Sequence, residues 1–290
     1  MPRIIEKRTL TPVTRLFRVE STWIAAAAIP GQFVIVRVHE GGERIPLTIA
    51  DFDPRAGVVT IVVQEVGVTT RILGALQEGE EILDMAGPLG EPANVPPGGH
   101  VVGVGGGFGA AALWCMMREF KERGDRTTII LGARQQDLLI LIEELRVVCD
   151  NLELCTDDGS VGYKGFVTGR LQQLIDGDGP GRPDYVVAIG PMPMMRAVAE
   201  TTRSTGIPTQ VSMDPLMIDG TGMCGGCRVM VNGESKFACV DGPLFDAHQV
   251  DFAEAVRRNK MYVKEEKLAA QRQLERLERR RTSDASKTLR

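Results

Sequence analysis

Short apolar runs separated by turn residues fill the first third of the chain. The segments TRLFRVE, QFVIVRV and GVVTIVVQEV are rich in Val, Ile, Phe and Thr, and the turns PG, EGGE and DPRAG lie between such runs. This spacing predicts the strands of an antiparallel barrel or sandwich. Because GPLGEPANVPPGG at 87–99 is rich in Pro and Gly, we expect a domain boundary there and a first domain over 1–97.

From residue 100 onward, strand and helix patterns alternate. HVVGVGGG, TTIILGA, NLELCT and DYVVAIG predict buried strands, whereas GAAALWCMMREFKERG, QDLLILIEELRVV, GRLQQLID and PMPMMRAVAETTRSTG predict helices. This alternation is typical of a doubly wound parallel sheet. We expect that α/β domain over 98–207, a small cysteine-containing subdomain over 208–250, and a charge-dense helix and tail over 251–290 that becomes disordered from 279.

Charge and composition narrow the class of protein. The 290 residues carry a formal net charge of −4; 43% are hydrophobic and 25% are charged. These values are ordinary for a globular protein in water, and no broad basic surface indicates a nucleic-acid partner. No stretch approaches the ~18 apolar residues of a membrane span, and MPRIIEKRTL lacks the apolar core of a signal peptide. We therefore expect a cytoplasmic protein with no nucleic-acid or membrane partner.

Three of the six cysteines cluster in a glycine-rich segment. Cys224 and Cys227 lie in DGTGMCGGCR, and Cys239 follows in KFACVDG. In a reducing compartment such clusters are typical of metal ligands. Asp219 stands where a fourth thiolate is expected, so a carboxylate completes the candidate set. The other three cysteines lie among apolar residues and are predicted to be buried: Cys115, Cys149 and Cys155.

The loop VGVGGGFGAAA joins a predicted strand to a predicted helix. Its glycines let the backbone turn tightly and approach a ligand, and the helix N-terminus offers N–H groups to a phosphate. A tight turn that binds nothing is the alternative. The second strand ends in LGARQQD, with Arg134 close to the usual position of an acidic residue that holds ribose hydroxyls, so NAD and NADP both stay open. The candidate residues are Gly105, Gly106, Gly107 and Gly109.

Two more loops follow predicted strands, at the edge where doubly wound sheets bind ligands. TDDGSVGYKG contains Asp157, Asp158 and Gly159, and AIGPMPMMRA contains Gly190, Pro191 and Met192. Taken alone, TDDGSVGYKG is explained as an ordinary polar turn, and AIGPMPMMRA is explained as a helix that begins with proline. Three glycine-containing loops on one sheet edge together predict a nucleotide crevice.

The first domain contains two candidate cofactor segments. ERIPLTIAD places Arg44, Pro46 and Thr48 on one strand, and in GVTTRIL Gly67 precedes Thr69 and Thr70 at a predicted helix start. Arg44 can pair with a pyrophosphate, and the helix start can donate to it. From the residues alone, a surface arginine and a capping stretch explain both segments better.

These motifs together carry a family resemblance. A barrel with RIPLT and GVTT, followed by a nucleotide domain with GVGGGFG and IGPMPMMRA, resembles the ferredoxin–NADP reductase superfamily. The segment DGTGMCGGCRVMVNGESKFACVDGPLFDAHQVDF resembles, within it, the small subunits of NADH-dependent ferredoxin:NADP oxidoreductases, also called sulfide dehydrogenases. Electron-transfer subunits of dihydroorotate dehydrogenase are more distant relatives. The resemblance covers roughly residues 1–262.

The resemblance implies three cofactors and their sites. NAD(H) is expected at the three glycine-containing loops, and a [2Fe–2S] cluster at Asp219, Cys224, Cys227 and Cys239; an aspartate at the first position is a mark of the bifurcating branch. A structural zinc with the same four ligands is the alternative. The resemblance implies no catalytic acid or nucleophile, because flavin alone converts a hydride into single electrons. FAD is expected at Arg44, Pro46, Leu47, Thr48, Gly67, Thr69 and Thr70.

The resemblance also implies a partner. In the family, a larger subunit carries a second flavin, [4Fe–4S] clusters and an NADP(H) site, and ferredoxin exchanges electrons through it. This chain then serves the NAD(H) side of an electron-bifurcating heterodimer. The alternatives are an electron-transfer subunit of dihydroorotate dehydrogenase or another dehydrogenase, and a non-catalytic module with structural zinc that binds a nucleotide.

Overall fold

Six antiparallel strands and two short helices form the first unit of the computed structural model, which describes residues 1–272. The strands pair in the order β1-β2-β5-β4-β3-β6. Ile4 N donates to Glu80 O and Ile82 N donates to Pro2 O, both at 2.9 Å, so the two edges meet and the sheet closes. The elements are β1 (Ile4–Thr11), β2 (Thr14–Glu20), α1 (Thr22–Ala27), β3 (Phe33–Arg37), β4 (Arg44–Asp53), β5 (Val58–Gln64), α2 (Val68–Ala75) and β6 (Asp84–Leu89).

Strand β5 shows why these strands contain long apolar runs. It is buried on both faces over its first six residues. Ile61 lies in the barrel core, whereas Val62 packs in the core of the second unit together with Leu16. A strand between two cores needs apolar side chains at consecutive positions rather than at every second one. The antiparallel first domain predicted from the sequence is confirmed.

A seven-stranded sheet forms the second unit, in the order β10-β9-β8-β7-β11-β12-β15. All pairs are parallel except β12 with β15. The predicted doubly wound sheet is therefore confirmed. The elements are β7 (His100–Gly106), α3 (Gly109–Glu122), β8 (Arg126–Ala133), α4 (Ile142–Val147), β9 (Asn151–Thr156), β10 (Tyr163–Lys164), α5 (Val167–Ile175), β11 (Tyr185–Ile189), α6 (Met192–Arg203), β12 (Thr209–Ser212) and, after the cysteine segment, β15 (Leu244–Asp246).

The segment QDLLILIEELRVV departs from its predicted single helix. The structure has one 3-10 turn at Gln136–Leu138 and then α4, which begins only at Ile142. Leu141 between them has a left-handed φ of 58°. Leu139, Ile140 and Leu141 are all buried, so these three residues pack in the core as an irregular segment and do not form the apolar face of a helix.

The cysteine segment forms a small third unit. It contains the hairpin of β13 (Arg228–Val231) and β14 (Glu234–Phe237) and is followed by α7 (Phe252–Asn259). Residues 263–272 are helical, and the predicted tail 279–290 lies outside the described residues. The predicted domain limits stay predictions; β12 and β15, both from 208–250, lie in the seven-stranded sheet. Within residues 1–272, no helix has the length and apolarity needed to cross a membrane.

Helix α3 and strand β4 join the first two units. The Cys115 thiol of α3 donates to the Ile49 carbonyl at 3.2 Å. Arg118 forms an ion pair with Asp51 and lies over the Phe52 ring, 5.5 Å from its centroid. These contacts fix the orientation of the nucleotide sheet against the barrel strand that carries RIPLT.

Candidate functional site

Strand β4 presents the predicted flavin residues on one face. Arg44, Pro46 and Thr48 occupy alternate positions, so their side chains point to the same side of the sheet. Leu47 points to the opposite side, is 7% exposed and lies in the barrel core, so only its backbone is available to a ligand. The cross-strand partners of the three outward residues are Arg37, Ile35 and Phe33 of β3.

The start of α2 lies beside the start of β4. The Gly67 N–H donates to Thr70 Oγ1 at 2.9 Å, which caps the helix as predicted. Thr69 Oγ1 donates to Glu43 Oε2 at 2.8 Å. Because Glu43 immediately precedes Arg44, this bond brings the RIPLT and GVTT segments together. Glu43 was missed by sequence reasoning, since nothing local marks its distant hydroxyl partner.

Two arginines at this point fit a diphosphate. Arg37 and Arg44 lie directly opposite each other on β3 and β4, a like-charge pair that is unfavourable by itself. Among residues 1–272, neither forms an ion pair, and the buried Nε of Arg37 has no hydrogen-bond partner. A pyrophosphate supplies both the missing charge and the missing acceptors. The residues present therefore fit the phosphate portion of FAD.

The glycine loop includes the end of β7 and the start of α3, and close packing explains most of its glycines. A Cβ on Gly109 would lie 1.9 Å from the Ile189 carbonyl oxygen, and one on Gly106 would lie 2.5 Å from Met194 Sδ. A Cβ on Gly105 would lie 2.9 Å from a Leu113 methyl. Gly107 differs: its φ is +52° and its side-chain position has no atom within 4 Å. Gly107 is thus the glycine whose open space fits the approach of a dinucleotide.

The loop after β11 meets the glycine loop. Gly190 has a φ of +158°, and a Cβ there would lie 3.0 Å from the Gly106 backbone. Pro191 and Met192 begin α6 directly beyond it. Strands β7 and β11 are adjacent, and the chain order reverses between them, which is where open α/β sheets bind ligands.

The loop after β9 lies two strands away from the glycine loop. Asp158 Oδ1 accepts the Ser160 N–H at 2.9 Å, and Gly159 takes a φ of +79°. Hydrogen bonds from Ser160 lower the pKa of Asp158. Asp158 therefore serves the turn, which is the ordinary alternative for this loop, while Asp157 is exposed at the same edge.

The cysteine segment holds its four predicted ligands as two pairs. Cys227 and Cys239 are buried, with their Sγ atoms 3.2 Å apart. Asp219 Oδ2 accepts the Cys224 N–H at 2.8 Å, and Oδ1 accepts the Thr221 N–H at 2.9 Å. The Thr221 bond, with a further contribution from Cys224, lowers the pKa of Asp219, so its carboxylate is ionised.

These pairs fit a two-iron cluster only in part. Burial, and then the Cys227 thiol, raise the pKa of Cys239 to about 12, so the Cys239 thiol deprotonates only when a cation compensates. Within residues 1–272, no three Cys, His, Asp or Glu side chains converge into a complete metal site. Two separate pairs of donors suit a cluster that contains two irons. A single zinc ion suits them less well, because it needs all four donors around one centre.

The cysteine loop packs on the candidate flavin face. Gly220 is buried with a φ of +76°, and a Cβ there would lie 2.8 Å from Ile35 Cγ1 and 2.8 Å from Leu89 Cδ1. Ile35 is the cross-strand partner of Pro46. Directly opposed residues share a face, so the loop that carries Asp219 touches the same side of the sheet that presents Arg44, Pro46 and Thr48.

Comparisons with known proteins agree with this architecture. Residues 214–251 match the iron–sulfur cluster binding domain of dihydroorotate dehydrogenase B. An electron transfer subunit homolog of dihydroorotate dehydrogenase B (NAD(+)) from Thermotoga maritima is 45% identical over 88% of this chain and 89% of its own length. An uncharacterized protein in the adh 3' region of Clostridium beijerinckii is 45% identical over 92% of both chains.

Solved structures of electron-transfer proteins have the same fold as this chain. A chain from the structure of NADH-dependent reduced ferredoxin–NADP oxidoreductase, which concerns flavin-based electron bifurcation, superposes with a TM-score of 0.88. It is 42% identical and covers 94% of this chain and 98% of its own. The Amycolatopsis cytochrome P450 reductase GcoB, 21% identical over 70% of this chain and 65% of its own, has a TM-score of 0.59 and shares the fold.

Fold and site define an electron-transfer protein of the ferredoxin–NADP reductase type, with a flavin- and nicotinamide-binding fold and an iron–sulfur domain. The chain belongs to the family of dihydroorotate dehydrogenase B electron-transfer subunits and their homologues. It is thus an electron-transfer subunit of an oxidoreductase. The predicted superfamily and cofactor classes are confirmed, and the individual ligand residues stay predictions.

Proposed function

We propose that this chain passes electrons between NAD(H), FAD and a [2Fe–2S] cluster, to or from a larger subunit of an electron-bifurcating NADH-dependent ferredoxin:NADP oxidoreductase. The observation that carries the proposal is the contact of Gly220 with Ile35, because it places the cysteine loop against the candidate flavin face. Bound FAD supplies the conversion between a hydride and single electrons.

In this scheme the chain's own residues bind the two cofactors and orient them toward each other. Arg44, with Arg37 opposite it, holds the flavin diphosphate at the start of α2. Gly107 leaves room for the dinucleotide, and the ion pair between Arg118 and Asp51 fixes the two units that present nicotinamide to flavin. No side chain has to move a proton, because hydride transfer itself accomplishes the chemistry.

The four predicted metal ligands support a cluster with one carboxylate ligand. Cys227 and Cys239 form one pair, and Asp219 and Cys224 form the other. A carboxylate is a harder donor than a thiolate, and it is expected to alter the cluster's potential. In this scheme the Asp219 carboxylate, which accepts two backbone hydrogen bonds, would hold one iron.

The surface around Cys224 supports a docked electron partner. Cys224 is exposed, and the segment that carries it exposes four apolar residues, here called the apolar rim: Leu216, Ile218, Met223 and Val240. The ideal Cβ position of Gly226 lies 3.5 Å from Cys224 Sγ and 3.9 Å from the Ile218 methyl. Such a patch is typical of an interface centre, and we propose that the larger subunit covers it.

The first test is a cofactor analysis of the purified chain. The proposal predicts one FAD, two irons and two sulfides per chain, with the absorption bands of a flavin and an iron–sulfur protein. Zinc in place of iron, with no flavin, would overturn the proposal and favour a structural zinc module that binds a nucleotide.

A second test separates the two dehydrogenase candidates. The names of the sequence relatives favour dihydroorotate as the alternative electron source, whereas the structure that concerns electron bifurcation superposes on this chain with a TM-score of 0.88. The chain is co-expressed with a candidate larger subunit, and the complex is assayed with NADH, NADP⁺ and ferredoxin, and separately with dihydroorotate and NAD⁺. Turnover of dihydroorotate alone would reject the bifurcating assignment and retain the electron-transfer role.

A further inference from the structure

Arg258 on helix α7 contacts the loop between two predicted metal ligands. Its Nη2 donates to the Gly226 carbonyl at 3.3 Å. The Gly226 N–H in turn lies 3.5 Å from Cys224 Sγ, as a donor. One guanidinium therefore holds Gly226, one of the two residues that separate Cys224 from Cys227. Arg258 also lies beyond residues 214–251, which match the iron–sulfur domain.

Helix α7 holds Arg258 in a fixed place. Asp251 caps the helix by accepting the Glu254 N–H at 2.9 Å, and its own N–H donates to Met230 O of β13 at 2.9 Å. Phe252 and Ala255 are buried in the core that also contains Cys227. The guanidinium is thus delivered by a rigid element and not by a mobile loop.

Among residues 1–272 Arg258 forms no ion pair, although Glu254 lies one turn earlier on α7 with a buried carboxylate oxygen that also has no hydrogen-bond partner. The buried Nε of Arg258 likewise has no hydrogen-bond partner within the part of the chain that the structure describes. A partly buried guanidinium without a counter-charge is unfavourable, so a nearby anion is expected. An iron–sulfur cluster held by thiolates and a carboxylate is anionic, and it gains one more negative charge when it is reduced.

We propose that Arg258 is a positioning residue of the iron–sulfur site that also sets its potential. Its bond to Gly226 holds the ligand loop, and its charge stabilises the reduced cluster more than the oxidised one. Arg258 has only N–H donors, so it acts from outside the ligand set. This inference rests on the proposed function, since it requires that the cluster binds.

The experiment is a redox titration of the cluster-containing full chain, followed by electron paramagnetic resonance. Arg258→Gln removes the charge, and Arg258→Lys keeps it. Arg257→Gln is the matched control, because it makes the same change at the next, exposed position of the same helix. We expect Arg258→Gln to shift the reduction equilibrium at least threefold toward the oxidised cluster, which is about 28 mV for a one-electron couple.

Arg258→Lys is expected to retain the wild-type midpoint, and Arg257→Gln to leave it unchanged because solvent screens that charge. Both Arg258 variants should release iron to a chelator faster than Arg257→Gln, since both lose the bond to Gly226. Equal midpoints for Arg258→Gln and Arg257→Gln would overturn the inference, as would an Arg258→Lys shift as large as that of Arg258→Gln. Arg258→Met replaces the glutamine variant if the latter does not fold.

The two proposals fail differently in this experiment. A wild-type chain that binds no iron or sulfide contradicts the proposed function itself. A wild-type chain with a normal cluster, whose midpoint does not depend on residue 258, contradicts only the role of Arg258.

Discussion

Replacing Gly220 by alanine tests whether the cysteine loop is seated on the flavin face. Gly220 has a φ of +76°, so any side chain there incurs backbone strain of about 1–2 kcal/mol. The new Cβ would also lie 2.8 Å from Ile35 Cγ1 and 2.8 Å from Leu89 Cδ1, inside van der Waals contact. Overpacking of this kind costs a further ~1–3 kcal/mol. The total destabilisation expected for Gly220→Ala is therefore about 2–5 kcal/mol.

Gly233 offers a matched control in the same subdomain. Its φ is also +76°, but its side-chain position has no atom within 4 Å. Gly233→Ala therefore carries the backbone strain without the contact, and we expect it to cost only about 1–2 kcal/mol. The difference between the two variants isolates the packing of the loop on Ile35 and Leu89.

Two assays measure the difference. Urea unfolding of both variants gives the loss of stability, and stopped-flow mixing with NADH separates flavin reduction from cluster reduction. Flavin reduction should match the wild type in both variants, whereas cluster reduction should be slower only in Gly220→Ala. If the two variants unfold within ~0.5 kcal/mol of each other and reduce their clusters equally fast, the seating of the loop is not what couples flavin to cluster.

Three other perturbations test separate parts of the molecule. Asp219→Cys should keep two irons per chain but change the cluster midpoint in the same titration, and an unchanged midpoint would show that the carboxylate only caps its loop. His100 is 1% exposed and burial lowers its pKa, so the unfolded chain binds the proton more readily; unfolding free energy should therefore fall as pH drops below about 6.5. His100→Gln should flatten that dependence between pH 7.5 and 5, and an equally steep curve would refute the assignment. Met223→Glu in the apolar rim should weaken binding of the larger subunit by about tenfold or more in calorimetry. Met261 is an exposed methionine outside the rim, so Met261→Glu should leave the affinity unchanged. Equal affinities of the two variants would show that the rim is not part of the interface.

The architecture could be predicted because local patterns determine it. Runs of Val and Ile between turns gave the barrel strands, and alternation of strands with amphipathic helices gave the parallel sheet. The prediction failed over 139–141, where a five-residue apolar run suits a buried strand, a buried helix or an irregular segment equally well. The left-handed φ of 58° at Leu141 interrupts the helix that was predicted through this run.

The candidate site was harder to predict because its contacts are long-range. The Thr69 bond to Glu43 spans 26 residues, and the Arg258 bond to Gly226 spans 32. No periodicity along the chain encodes such pairs. The motifs identified which segments bind cofactors, but only the fold shows that Leu47 faces the barrel core and that Asp158 is engaged in its own turn.

The glycines at the junction of β7 and α3 show which information a motif provides and which only the fold provides. Four glycines between the end of β7 and the start of α3 suggest one dinucleotide fingerprint, yet three of them have a neighbour within 3 Å of their missing Cβ and are explained by packing of the protein on itself. Only Gly107 has open space and a positive φ. Alanine at Gly107 should therefore weaken nucleotide binding in addition to a backbone strain of about 1–2 kcal/mol, whereas alanine at Gly109 should act chiefly on stability, because its Cβ would collide with the Ile189 carbonyl. A glycine motif thus marks a place where another group approaches the backbone closely. Only the surrounding atoms show whether that group is a ligand or a neighbouring part of the protein.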